Sequence, residues 1–128
     1  MSETQTRNGM AVWFEIPAND FDRAVTFYET LFGGEFRREA IAGIRLAVFP
    51  YQQPGVGGAV VAGSVAEPGG SGTIVYLNCD GRLDEVIARV RPAGGHLEGP
   101  KVELPDGMGT FIHVLDPEGN RVGLHALT

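Results

Sequence analysis

The chain has 128 residues, 43% of them hydrophobic and 20% charged, with a formal net charge of −6. That length suits one domain with an ordinary core, and the composition excludes a disordered or membrane-embedded chain. Its only basic doublet, Arg37-Arg38, is flanked by Glu35 and Glu39, which excludes a phosphate-tracking nucleic-acid surface.

Residues 1–9 are polar and lack the apolar run of a signal peptide, and no later segment is as long as a membrane span. They are expected to form a loose tail on a cytoplasmic protein. A first strand follows at residues 12–16. Past Pro17-Ala18-Asn19-Asp20, the residues Phe21, Ala24, Val25, Tyr28 and Phe32 recur at three- and four-residue steps, the signature of one helix face. Asn19 or Asp20 is placed to accept bonds from the first free N–H groups, and Gly33 to end the helix in the left-handed conformation. Short strands are expected at 35–38, 44–49 and 58–62, with the Gly- and Pro-rich stretch 50–57 as the turn between the last two.

Residues 67–72, rich in glycine, read as a flexible linker, and beyond them the order repeats. A strand at 73–79 leads through Asp80-Gly81 to a helix built on Leu83, Val86, Ile87 and Val90. Asp80 is expected to cap that helix, and Pro92 and Gly94 to stop it. Strands at 96–98, 110–115 and 121–126 complete the chain, the last two joined by the turn Asp116-Pro117-Glu118-Gly119-Asn120. Asp20 matches Asp80, and Gly33-Gly34 matches Gly94-Gly95, so the chain reads as two copies of one βαβββ unit. The expected fold is α+β: modules at 11–63 and 73–127, joined by a linker at 64–72, within one domain over 10–127. They form a curved sheet with a cleft, the default ligand site. Cys79, the lone cysteine, excludes an internal disulfide and reads as a small buried hydrophobe.

Phe14-Glu15-Ile16-Pro17, Asp20-Phe21-Asp22-Arg23-Ala24, Phe27-Tyr28-Glu29 and Phe32-Gly33 resemble the opening of glyoxalase-like sequences. The run from Asp116 through Arg121-Val122-Gly123-Leu124-His125 resembles their closing hairpin. With Gly57-Gly58 and Gly94-Gly95 between, the likeness spans nearly all of residues 10–127 and points to the vicinal oxygen chelate superfamily of glyoxalases, bleomycin-resistance proteins and dioxygenases. That resemblance implies the paired βαβββ fold and a homodimer, but it leaves function open among isomerases, lyases, dioxygenases, antibiotic-modifying enzymes and drug-sequestering proteins. In metal-dependent members, four side chains from the first and last strand of each half hold a divalent cation. By that pattern the positions fall on Trp13, within 58–61, on or near Ile74, and on Gly123. None offers a donor, so no metal or other cofactor is expected.

Strand alternation places Glu15 on the face of Trp13, Tyr76 and Asn78 on that of Ile74, and Arg121 and His125 on that of Gly123. The opposite set, Val12, Phe14, Ile16, Val75, Leu77, Val122 and Leu124, is apolar throughout, as a helix-packing face requires. The concave face is therefore expected to carry Trp13, Tyr76, Asn78, Arg121 and His125 as ligand-binding residues, with Glu15 as the catalytic candidate and Gly123 leaving space. Plainer roles stand beside these. Glu15 and Arg121 can form a structural ion pair, or Arg121 can bridge to Glu118. Tyr76 and Asn78 can satisfy backbone groups at a sheet edge, Trp13 can be core, and His125 can be a surface or dimer contact. His113 shares the face of His125 only in one register of the 116–120 turn, and with Glu15 the two would then make a displaced metal site. His96 is expected to be exposed.

The function expected is a metal-independent small-molecule-binding protein of the sequestering or resistance type, with a small organic ligand and neither nucleic acid nor membrane as partner. One alternative is a lyase or isomerase in which Glu15, its pKa raised by burial, acts as general base on a carbonyl or epoxide-like substrate. Another is a metal-dependent glyoxalase-type lyase. Whether the cleft lies within one chain or between two stays open.

Overall fold

A computed structural model describes residues 9–128, so most of the expected N-terminal tail lies outside the described residues. Ten elements follow in order: β1 Trp13–Pro17, α1 Phe21–Phe32, β2 Arg37–Ile41, β3 Ile44–Val48, β4 Gly57–Ala62, β5 Tyr76–Asn78, α2 Leu83–Val90, β6 His96–Glu103, β7 Thr110–Leu115 and β8 Arg121–Ala126. They build two four-stranded sheets of the same topology, β1-β4-β3-β2 and β5-β8-β7-β6. In each sheet the first strand pairs parallel with the last and the other neighbours are antiparallel. The repeat read from the sequence is thus a repeat of structure.

Several local expectations need correction. Asp20 caps α1 by accepting the Arg23 N–H at 3.1 Å, and Gly33, at φ 81°, returns its N–H to the Glu29 carbonyl. Asp80 does not cap α2. Its carboxylate accepts the Leu127 N–H at 2.6 Å instead, and Arg82 occupies the cap position without a capping side-chain bond. Asp84 and Glu85 in the first turn of α2 supply the negative charge that a helix N-terminus favours. The second strand starts later than expected because Phe36 turns into the core at 3% exposure. β6 runs on to Glu103 through an irregularity between Glu98 and Val102. Val12, expected on the helix-packing face, precedes β1 and is 81% exposed.

The helix sides of both sheets meet in one core. Phe27, Tyr28 and Leu31 of α1, Val86 and Val90 of α2, and Val60, Val114 and Leu124 from the strands belong to it and are fully buried. α1 packs on α2, whereas no strand of one sheet runs along a strand of the other.

The second module also holds both ends of α1. Glu118, whose side chain is 1% exposed, accepts the N–H groups of Asn19 and Asp20 and pairs with Arg23. At the other end, Arg82 and Arg89 donate to the carbonyls of Phe32 and Leu31 at 3.0 and 2.9 Å. A carboxylate at the positive end and guanidinium groups at the negative end match the helix dipole. α1 has no basic residue in its own last turn, so module two supplies that charge. Beside this, buried Asp116 accepts the Tyr28 hydroxyl proton at 2.7 Å, and Asn120 donates to the Pro17 carbonyl at 2.8 Å.

Candidate functional site

Each sheet has a face free of helices, and register fixes what shares it. Across the second sheet Tyr76 lies opposite Gly123, Gly123 opposite His113, and His113 opposite Glu98. The next row runs Asn78, His125, Phe111 and Val102. Arg121 lies one step along β8 from Gly123, on the same face. Residues 116–120 therefore set the register that brings His113 onto the face of His125.

These side chains form a connected group. The Tyr76 hydroxyl lies 2.7 Å from His113 Nε2, and Arg121 Nη1 lies 3.2 Å from His113 Nδ1. Arg121 also faces Glu98 at 3.7 Å. The rings of Tyr76, Phe111 and His113 stand 5.3 to 5.5 Å apart, centroid to centroid. His125 Nε2 donates to the Met108 carbonyl at 2.7 Å, and Asn78 Oδ1 accepts the Asp80 N–H at 2.9 Å. Gly123 leaves no space, contrary to expectation: the Tyr76 ring lies over it where a Cβ would stand. Glycine is required there because the aromatic ring replaces its side chain.

The first sheet presents a different surface. Trp13 Nε1 donates to Glu15 Oε2 at 3.2 Å, and Tyr51 meets the indole edge-on at 6.3 Å. Behind them Leu46, Val48, Ala59 and Val61 form a buried aliphatic bed. Glu15 is exposed and makes no pair with Arg121, which turns to His113 and Glu98 instead. Glu118 pairs with Arg23, not Arg121. The burial that a general base at Glu15 would draw on is absent. Among the described residues no hydrogen bond, ion pair or ring contact joins Trp13 and Glu15 to the group around Tyr76; the chain holds them on separate sheets. His96 is exposed, as expected.

The parallel ladders also align the two modules. Ala18 N–H bonds to Val61 O as Cys79 N–H bonds to His125 O, which makes Trp13 equivalent to Ile74 and Ala59 to Gly123. The four family ligand positions therefore hold indole, methyl, sec-butyl and hydrogen. They do not fit a metal ion. Among the described residues no three His, Cys, Asp or Glu side chains are grouped to hold one, and Glu15 stands apart from His113 and His125.

Two concavities open elsewhere: one of about 390 Å³ between the start of α2 and the end of β8, and one of about 340 Å³ beside Phe21 and Arg45. Neither touches Trp13 or Tyr76. Sequence reasoning missed Phe111 and Glu98, and alternation from His113 along β7 would have found Phe111.

A doubled βαβββ fold with polar and aromatic residues on its open sheet faces defines the class of paired-module α+β proteins. The chain belongs to the Glyoxalase/Bleomycin resistance protein/Dioxygenase superfamily, whose family model matches residues 11–124. No curated protein matches it. Among solved structures it is similar to a glyoxalase/bleomycin resistance protein from Albidiferax ferrireducens T118, at 20% identity and TM-score 0.70, over 92% of this chain and 98% of that one. TnmS3, an antibiotic binding protein from Streptomyces sp. CB03234, is similar at 24% identity and TM-score 0.69, over 95% and 98%. The fosfomycin resistance protein FosX from Listeria monocytogenes is similar at 16% identity and TM-score 0.67, over 94% and 91%. At these identities the likeness is one of fold. No helix among the described residues is long and apolar enough to cross a membrane.

Proposed function

We propose that this chain is a small-molecule-binding protein of the sequestering or resistance type that works without a metal, its ligand resting on the helix-free face of the second sheet. The observation that carries this reading is the Tyr76 ring lying over Gly123, which puts an aromatic surface where a coordinating side chain would be needed. Tyr76, Asn78, Arg121 and His125 are the ligand-binding residues in this reading. Trp13 serves from the first sheet of a second copy. A homodimer is supported by the spending of both helix sides on one core, which leaves Trp13 and Tyr76 at 38% and 47% exposure. The fold likeness to an antibiotic binding protein adds support.

Trp13 is the sole tryptophan, so its fluorescence reports on the first sheet directly. Aromatic ligands should quench it saturably and raise the melting temperature. Stoichiometric nickel, zinc or iron in purified protein, lost to a chelator together with binding, would overturn the metal-free reading.

One observation favours a second reading, in which Glu15 acts as a base on a carbonyl or epoxide-like substrate without the help of burial: its side chain is exposed, and Trp13 donates to one of its carboxylate oxygens. Glu15→Gln should then abolish turnover with the fold intact, and full activity in that variant removes Glu15 from the chemistry.

A further inference from the structure

The bonds around His113 have a direction that follows from chemistry. A guanidinium has only donors, so the contact between Arg121 Nη1 and His113 Nδ1 at 3.2 Å requires an unprotonated Nδ1. The proton of the neutral ring then sits on Nε2 and is donated to the Tyr76 oxygen at 2.7 Å. Tyr76 accepts in that bond, and among the described residues no group accepts its own O–H. Arg121 keeps further N–H groups unspent, since Glu98 at 3.7 Å lies beyond hydrogen-bond distance. This end of the face therefore offers donors to a ligand, beside the rings of Tyr76 and Phe111, which stand edge to face at 5.5 Å.

We infer that His113 is a positioning residue that fixes Tyr76 as an outward hydrogen-bond donor, so that with Arg121 the face selects aromatic ligands presenting an acceptor oxygen. The inference rests on the reading that the ligand lies on the second sheet, and it sharpens that reading. It also runs against the bias of net charge: a −6 protein draws cations by encounter, yet Tyr76 and Arg121 present donors here, and the Glu98 carboxylate on the same face is turned toward Arg121.

Two measurements on the full chain test it. Nitrogen-15 NMR of the imidazole rings, with His113→Gln to assign the resonance, should find the His113 proton on Nε2 at neutral pH. A proton on Nδ1, or on both nitrogens, overturns the inference without any ligand. Calorimetry with 2-naphthoate and 2-naphthylmethylammonium should show binding of the carboxylate and not of the ammonium. Tyr76→Phe should weaken 2-naphthoate by about threefold to tenfold, the worth of one net hydrogen bond. Equal affinity for the two probes, or undiminished binding by Tyr76→Phe, overturns the inference and leaves the face as a binding site. Binding of neither probe removes the face as a site, and the inference falls with it.

Discussion

Asp116→Ala should cost about 3–5 kcal/mol of folding free energy, because its carboxylate serves four donors in the seam between the modules. Oδ1 accepts the backbone N–H groups of Glu118 and Asn120 at 2.8 and 2.9 Å. Oδ2 accepts the Tyr28 hydroxyl at 2.7 Å and the Asn120 amide at 3.0 Å. Tyr28 has no exposure, Asn120 has 6% and Asp116 itself 2%, so water cannot replace the lost acceptor. Each stranded buried donor costs about 1–3 kcal/mol. The Asn120 amide keeps its bond to the Pro17 carbonyl, which leaves the Tyr28 hydroxyl and the Asn120 N–H as the main orphans. Relief of the buried charge returns part of the sum. Tyr28→Phe removes one donor and leaves the carboxylate three, for about 1 kcal/mol. On that background Asp116→Ala should cost less, since one orphan is already gone. Urea denaturation followed by circular dichroism measures all three variants. A cost for Asp116→Ala below about 1 kcal/mol, or strict additivity with Tyr28→Phe, would refute the reasoning.

Burial would raise the Glu118 carboxyl, but Arg23 and the N–H groups of Asn19 and Asp20 hold it below its ordinary value of 4.5. Its contribution to stability is thus complete above that value and is lost as pH falls through the lower folded one. Glu118→Gln should destabilise at neutral pH and flatten the acid limb of a melting-temperature profile, and an unchanged limb would count against the pairing. Gly123→Ala should drive the Tyr76 ring off the sheet and break its bond to His113. Binding of 2-naphthoate should then fall as it does in Tyr76→Phe, with the melting temperature shifted by only a few degrees; unchanged binding would show that the ring does not depend on the glycine. Burial pushes the Cys79 thiol up to about 11, so it should resist an aromatic disulfide reagent at pH 8 until urea unfolds the chain. Rapid labelling of the folded protein would contradict that.

The fold was legible because each module obeys local rules twice over. Phe21, Ala24, Val25 and Tyr28 announce α1 by their spacing, and all four are buried. Alternation separated Leu77, Val122 and Leu124 from Tyr76, Arg121 and His125, and burial follows that split. What stayed hidden depends on distance along the chain. Asp80 looks like a helix cap until the final strand returns beside it and offers the Leu127 N–H. Glu15 and Arg121 look like an ion pair until the fold places them on separate sheets, and Glu98 reaches Arg121 only through the pairing of β6 with β7. Glu118 reads as a turn residue, although its carboxylate serves a helix almost a hundred positions earlier.

The two modules keep one backbone plan but differ in the faces that no helix covers, and packing explains the difference. Residues toward the helices share one core and must remain apolar in both halves. The other faces carry no such constraint. In the first sheet that freedom yields Leu46, Val48, Ala59 and Val61, an aliphatic bed with Trp13 and Glu15 at its margin. In the second it yields Arg121, His113 and Tyr76, joined by bonds to both ring nitrogens. Glu15 and Tyr76 occupy equivalent positions in the two ladders, as do Ala59 and Gly123. The small residue in each pair is buried. At Gly123 the aromatic neighbour closes over the sheet, so a donor placed there would first have to displace that ring and break its bond to His113. Restoring coordination in the second module is therefore a change to a packed unit of Tyr76, Gly123 and His113, more than the addition of one side chain.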